Sequence, residues 1–161
     1  MWSAGAGRAP LDAVREPLRA LQGDRCFYCS ERIGRAAEVD HFIPWSRYAD
    51  DWLDNLVVAD RHCNGSKRDF LAAAEHVERW SSRIQRLDGQ LAALAGGLNW
   101  RRDVRRSVGV ARGVYLRLPS TARLWRTVSA FGALERDRIR RALDFDPSGR
   151  TTEEPRDTTS A

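Results

Sequence analysis

The chain has 161 residues, 42% of them hydrophobic and 30% charged, with a net charge of +5. That length holds one domain with an appendage and a moderate core but not two large domains, and no run approaches the ~18 consecutive apolar residues of a membrane span, Leu91 to Leu98 being short and interrupted by glycine. The basic excess rests on arginine, Lys67 being the one lysine, and charge alone divides evenly between a phosphate-gripping surface and a solvated one.

Three cysteines, two of them in Cys26-x2-Cys29, and an opening Met1-Trp2-Ser3-Ala4-Gly5 without a basic-then-apolar leader give the expectation of a cytoplasmic protein with reduced thiols. Leu11, Val14, Leu18 and Leu21 lie at helical spacing and predict a helix over 10–22, kinked or restarted at Pro17 and ended by Gly23-Asp24. This makes 1–23 an N-terminal helical segment. Cys26 to Cys29 is too short for an element and reads as a metal knuckle turn. Ala37 to His41 is a predicted strand closed by Pro44, Ser46 to Asp54 a polar loop, and Leu56-Val57-Val58-Ala59 a second β-branched strand before a helix from Arg61. Strand, loop, strand and helix make a ββα unit within 24–71.

From Ala72 the pattern changes. Val77, Trp80, Ile84, Leu87, Leu91 and Leu94 recur at three- and four-residue steps and predict one long helix to about Ala95, weak at Gly89 and stopped by Gly96-Gly97. Such an apolar stripe is first of all core or a helix partner, so the oligomeric state stays open. The opposite face carries Glu75, Glu78, Arg79, Arg83 and Arg86, and Arg101, Arg102, Arg105 and Arg106 follow; these are either solvated faces or a phosphate-tracking surface. Trp100, Val104, Val108, Ala111 and Tyr115 predict another helix, and Pro119-Ser120 a break before more helical spacing through Leu124, Trp125, Val128, Leu134, Ile139 and Leu143. The expected architecture is α+β, a small ββα finger followed by a mainly α-helical extension over 72–145. Residues 146–161 lack an apolar anchor and read as a disordered tail.

The order Cys26-x2-Cys29, Asp40-His41, Asn55, Asp60-Arg61-His62-Cys63-Asn64-x2-Lys67 brings the groups of a metal-dependent nuclease into about forty residues. Hydrolysing a phosphodiester takes an activated water and positive charge on the phosphorus oxygens. His41, just past a strand that fixes its direction, is the natural general base, since imidazole titrates near neutral pH. Asp40 and the amide oxygen of Asn64 suit magnesium, which prefers hard oxygen ligands and keeps several waters. Asn55 between the strands can pin the loop that aims His41. Taken singly, each group has a plainer reading, Asp40-His41 as an ion pair, Asn55 as a turn residue and Asn64 as a helix cap. Their joint order and spacing outweigh those readings, whereas His76 reads as a surface or packing residue.

Val39-Asp40-His41-Phe42-Ile43-Pro44, Asp54-Asn55-Leu56-Val57-Val58 and Cys63-Asn64-Gly65-Ser66-Lys67 resemble the HNH endonuclease family, whose core is a ββα metal finger, over residues 24 to 70. The same order is similar to the HNH domain of RNA-guided DNA nucleases. The resemblance implies cleavage of DNA with His41 as the base, Asp40 and Asn64 as ligands of one catalytic Mg2+ or Mn2+, Asn55 as the loop-orienting residue, and 5′-phosphate ends. It implies a phosphate contact at Lys67, with Arg61 and Arg68 as further nucleic-acid contacts. Many members carry two Cys-x2-Cys knuckles around a structural zinc, and here the position three before Cys63 is Asp60. Cys26, Cys29, Asp60 and Cys63 can form a three-thiolate, one-carboxylate Zn2+ site, with His62 a weaker substitute because it adjoins Cys63; alternatively Asp60 only caps the helix. Two rivals remain beside the DNA nuclease, a non-catalytic zinc-finger-like DNA-binding module and a subunit licensed to cut only inside a larger defence or mobile-element complex.

Overall fold

The computed structural model describes residues 10–147. Residues 1–9 and 148–161 lie outside the described residues, and with them most of the tail expected from 146 onward. The fold is α+β. Helix α1 spans Asp12–Leu21 with Pro17 inside it and buries Val14 and Leu18. Strands β1 (Glu38–His41) and β2 (Leu56–Ala59) pair antiparallel, Asp40 opposite Val57 and His41 opposite Leu56. All four β2 residues are buried, which is why they form a continuous apolar run without alternation. Helix α2 (Arg61–Lys67) follows at once and completes the ββα unit.

The 46–54 loop is less polar in fact than in sequence. Its end winds into a 3-10 turn over Leu53–Asn55, and Trp52, Leu53, Asp54 and Asn55 are all buried. The reason lies in the extension. The Trp80 Nε1–H donates to the Asp54 carbonyl at 2.8 Å, and Arg102 reaches the Asp54 carboxylate at 2.9 Å. Beneath them Phe42 stacks face to face on Trp80 with centroids 5.1 Å apart, joining the finger to the helices in one core.

Beyond residue 72 three expectations need correction. The single long helix is two, α3 (Ala74–Arg86) and α4 (Asp88–Leu98), broken at Leu87 (φ −109°, ψ 17°) rather than at Gly89. Arg102 takes both the Asp88 carbonyl and its carboxylate, bracing that corner, and the apolar spacing runs through the bend undisturbed. Gly96-Gly97 do not stop α4; Asn99, in the left-handed region (φ 50°, ψ 42°), ends it, as short amide side chains can. Helix α5 (Val104–Tyr115) is capped by Asp103, whose carboxylate accepts from the Arg106 N–H.

The segment after Pro119 is not helical. Arg123–Thr127 (β3) and Ala130–Ala133 (β4) form a hairpin, and only Arg136–Leu143 (α6) is helix. Adjacent Leu124 and Trp125 fit a helical spacing, but Trp125 exchanges backbone hydrogen bonds with Leu71 and Ala73, at 2.8 Å each. A strand-like edge far away in sequence thus decides the local structure, a tertiary override that periodicity cannot reveal. The extension remains mainly helical, and no helix of the described residues is long and apolar enough to cross a membrane.

Candidate active site and metal centre

Two clusters lie at opposite ends of α2. At its N-terminus Asp60 caps the helix, Oδ1 accepting from the N–H groups of His62 and Cys63 at 2.8 and 2.9 Å. Its other oxygen, Oδ2, accepts the Cys29 thiol at 3.2 Å, while Cys26 Sγ accepts the Asp60 N–H at 3.4 Å. One ligand atom each from Cys26, Cys29, Asp60 and Cys63 lie within 4.8 Å of one another. Four-coordinate zinc wants ligand sulfurs about 3.8 Å apart, so this donor set fits a metal such as zinc. Capping and cluster membership are therefore not alternatives for Asp60; each of its oxygens does one of them. His62 is exposed and outside the cluster.

Burial pushes the Cys26 thiol up to about 11 and holds Cys63 far higher than an ordinary thiol, with the nearby carboxylate adding to both. Asp60 moves the other way. Burial opposes its ionisation, yet the hydrogen bonds from Cys26, Cys63 and Cys29 outweigh that and hold its carboxyl far below the usual range. Without a cation the Cys26 and Cys63 thiols stay protonated beside one carboxylate. A divalent metal must displace those protons, so its affinity rises with pH. Arg79 on α3 fixes the knuckle turn by donating to the carbonyls of Phe27 and Tyr28, both at 2.6 Å.

The second cluster surrounds a cleft of ≈540 Å3 lined by Asp40, His41, Trp45, Asn64, Arg68 and Asp69, among others. Asp40 Oδ2 accepts the Tyr28 hydroxyl at 2.5 Å and pairs with the Lys67 ammonium at 3.0 Å. Burial and the Asp40 charge hold the Tyr28 hydroxyl well above its ordinary value, so it stays a donor. Asn64 gives its Nδ2–H to Glu38 at 2.6 Å, which leaves its carbonyl oxygen for another partner. Asn55 spends its whole amide on one residue, accepting from the Ile43 N–H at 2.7 Å and donating to the Ile43 carbonyl at 3.0 Å. Its own carbonyl accepts from Phe42 N–H, so the chain just past His41 is tied down on three bonds. His41 Nε2 lies 2.7 Å from Asp51 Oδ1, and the ring meets Trp45 edge-on.

The cleft thus brings together Asp40, His41 and Asn64, with Asn55 behind them. Lys67 does not face outward. It is fully buried and donates to the His41 carbonyl at 3.1 Å as well as to Asp40, so the phosphate contact expected of it does not fit. Arg68 lines the cleft and Arg61 is exposed beside the other cluster. The phosphate-tracking surface expected along the helices is largely consumed. Arg83 is buried and donates to the Leu56 carbonyl, Arg79 holds the knuckle, and Arg102 is paired with Asp54 and Asp88. His76 is a packing residue, stacked on Trp125 and bonded to the Arg126 carbonyl.

Three contributors were missed in the sequence. Glu38 was legible, because two residues before Asp40 on a strand is the same face. Tyr28 hides inside the knuckle spacing, and Asp51 in an irregular loop, where no periodicity marks a partner for His41.

The HNH endonuclease family model matches residues 26–73, the stretch that supplies both clusters. Over that stretch the chain is similar to the HNH endonucleases. A crystal structure of the Type II-C Cas9 enzyme from Actinomyces naeslundii matches over 56% of this chain and 11% of that one, at 26% identity and a TM-score of 0.39. The chain thus spans about a tenth of the length of that structure. No curated protein matches the chain significantly.

The oxygen donors of the cleft suit a hard cation. Asp40, Asn64 and the neighbouring Glu38 carboxylate would supply two or three ligands and leave the rest to water, the arrangement Mg2+ and Mn2+ accept. The sulfur-rich cluster suits the softer zinc instead.

Proposed function

We propose that the protein is a metal-dependent endonuclease that hydrolyses phosphodiester bonds in DNA, with His41 as general base. The observation that carries this reading is the convergence of Asp40, His41 and Asn64 on one cleft within the HNH segment.

A divalent ion held by Asp40 and the Asn64 carbonyl would neutralise charge on the scissile phosphate. His41 takes a proton from the attacking water as its oxygen bonds to phosphorus. The bond from phosphorus to the 3′-oxygen breaks, and that oxygen leaves with a proton from solvent, giving a 5′-phosphate end. Asn55 holds the backbone after His41, so the imidazole does not swing from the cleft. Lys67 and Tyr28 fix the Asp40 carboxylate from beneath, and this role replaces the phosphate contact for Lys67. Arg68, on the cleft wall, is the better placed of the two flanking arginines to meet a phosphate. Cys26, Cys29, Asp60 and Cys63 would hold a structural zinc that keeps α2, and with it Asn64, in place.

The test is nicking or linearisation of supercoiled plasmid with Mg2+, Mn2+ or EDTA, alongside His41→Ala. Metal-dependent cutting that drops by on the order of 10³-fold in the variant, with DNA binding retained, is the expected result. Equal loss of binding and cutting would give His41 a structural role.

A further inference from the structure

The 48–54 loop carries Asp51, and the helical extension grips this loop at five successive residues. Arg106 pairs with Asp50 at 3.4 Å. The Trp100 Nε1–H donates to the Asp51 carbonyl at 2.7 Å. Arg101 and Arg106 lie over the Trp52 ring, 4.7 and 4.8 Å from its centroid. The Leu53 N–H donates to the Arg101 carbonyl at 3.0 Å, and Arg102 takes the Asp54 carboxylate. All four bracing residues, 100–102 and 106, lie outside the family-matched 26–73 segment.

What this grip aims is the Asp51 carboxylate, set 2.7 Å from His41 Nε2 with only 15% of its side chain exposed and 6% of the histidine's. An ionised carboxylate can only accept, so Nε2 must carry the hydrogen. A neutral imidazole protonated on Nε2 has its acceptor lone pair on Nδ1, and which nitrogen can take a proton is set by the bond the other makes. Free imidazole exchanges between tautomers, and a base held in the wrong one cannot accept from water at the required position.

We propose that Asp51 is the positioning residue of His41, fixing its Nε2–H tautomer so that Nδ1 is the proton acceptor, and that the helical extension holds Asp51 through Trp100. This rests on His41 being the base. It gives the extension a part in the chemistry, since the loop that selects the tautomer is itself held by residues 100–106.

The tautomer can be read without turnover. The chain has three histidines, His41, His62 and His76, so 15N-histidine labelling of the zinc-loaded protein at pH 8.5 resolves each ring's two nitrogens once single-histidine variants assign them. His41 of the wild type is expected as the Nε2–H form. In Asp51→Leu, near-isosteric but without an acceptor, that signature collapses to a mixture while the His76 signals stay, and plasmid cleavage loses on the order of 100-fold in kcat with KM unchanged. Trp100→Phe keeps an aromatic ring, though a smaller one, but not the N–H, and lowers kcat in the same direction by less. An Nδ1–H form of His41 in the wild type would overturn the proposal even if Asp51→Leu failed to fold, as would an unchanged tautomer in a folded Asp51→Leu. Full activity in Trp100→Phe would overturn the brace. Cleavage surviving in His41→Ala would instead overturn the assignment of the base, and the nitrogen signals would still decide the Asp51 contact.

Discussion

The two ends of α2 carry clusters of similar size and opposite chemistry. At the N-terminal end three sulfurs and one carboxylate oxygen close on a point, with burial raising the thiols and hydrogen bonds depressing the acid. Around the middle and C-terminal end Asp40 and Asn64 offer oxygens and His41 a ring nitrogen, they open onto a cleft, and each is held by other residues: Asp40 by Tyr28 and Lys67, Asn64 by Glu38, His41 by Asp51. A closed soft site resists exchange and serves the fold, whereas an open hard site leaves positions for water and substrate. They are not independent. Tyr28 sits in the knuckle turn by sequence and donates its hydroxyl to Asp40, so loss of the closed site must be felt at Asp40.

The harshest way to break that comparison is to remove a thiol. Cys63→Ser changes a candidate ligand that is only 5% exposed, and if the proposed zinc is bound there we expect the variant to lose it, lower Tm by more than about 10 °C, and abolish cleavage together. Metal analysis and calorimetry on the same sample check this. A variant that lost zinc but kept its Tm would reduce the closed site to an ornament of the fold.

Asn64→Ala addresses the open site alone. Cleavage should fall on the order of 100-fold or more, while zinc content and Tm stay near wild type, because Asn64 is half-buried and its amide serves Glu38 and not the core. A parallel loss of Tm would mean that the Asn64–Glu38 bond holds the finger together and the two ends are one structural unit.

Much of this contrast was legible before any coordinates. Strand β2 and helix α2 fall where the β-branched run and the knuckle spacing put them, because short-range pattern dictates them. Asp40, His41 and Asn64 could be found since their order survives in the chain. What could not be read is everything decided at long range. The hairpin at 123–133 depends on an edge at 71–73, the bend at Leu87 on Arg102, and the burial of Lys67 on the two acceptors that enclose it. A lone lysine three residues after Asn64 reads as a phosphate grip; only packing reveals that it faces inward. Asp51 belongs to the same class, since nothing in an irregular loop marks which of its acids turns toward His41.

Asp60 offers a subtler break, because it serves the helix and the cluster with different oxygens. Asp60→Asn keeps an acceptor for the His62 and Cys63 N–H groups but removes the charge that a metal would use, whereas Asp60→Ala removes both. Zinc affinity, measured by chelator competition, should fall alike in the two. Stability of the zinc-free form should fall in both, because both lose the carboxylate that the surrounding hydrogen bonds favour, and by about 1 kcal/mol more in the alanine variant, the usual value of such a cap. Wild-type zinc affinity in Asp60→Asn would take Asp60 out of the ligand set and leave it a cap.

The smallest effect concerns the wall between the two clusters, where His76 packs edge-on to Tyr28 and flat against Trp125. Burial lowers its pKa from the ordinary 6.5, the nearby Arg79 and Lys67 add to this, and the bond to the Arg126 carbonyl and the charge of Glu75 oppose it without prevailing. The unfolded chain therefore binds the proton at a higher pH than the folded one. The stabilisation that neutral His76 contributes is complete above pH 6.5 and is lost as pH falls through the lower folded value. His76→Gln keeps a donor for the Arg126 carbonyl but cannot titrate, so its Tm should decline less steeply than that of the wild type between pH 7.5 and 5. A steeper wild-type slope assigns the difference to the packed imidazole; identical slopes would mean that the ring escapes protonation without cost and that the wall behind Tyr28 is softer than its burial implies.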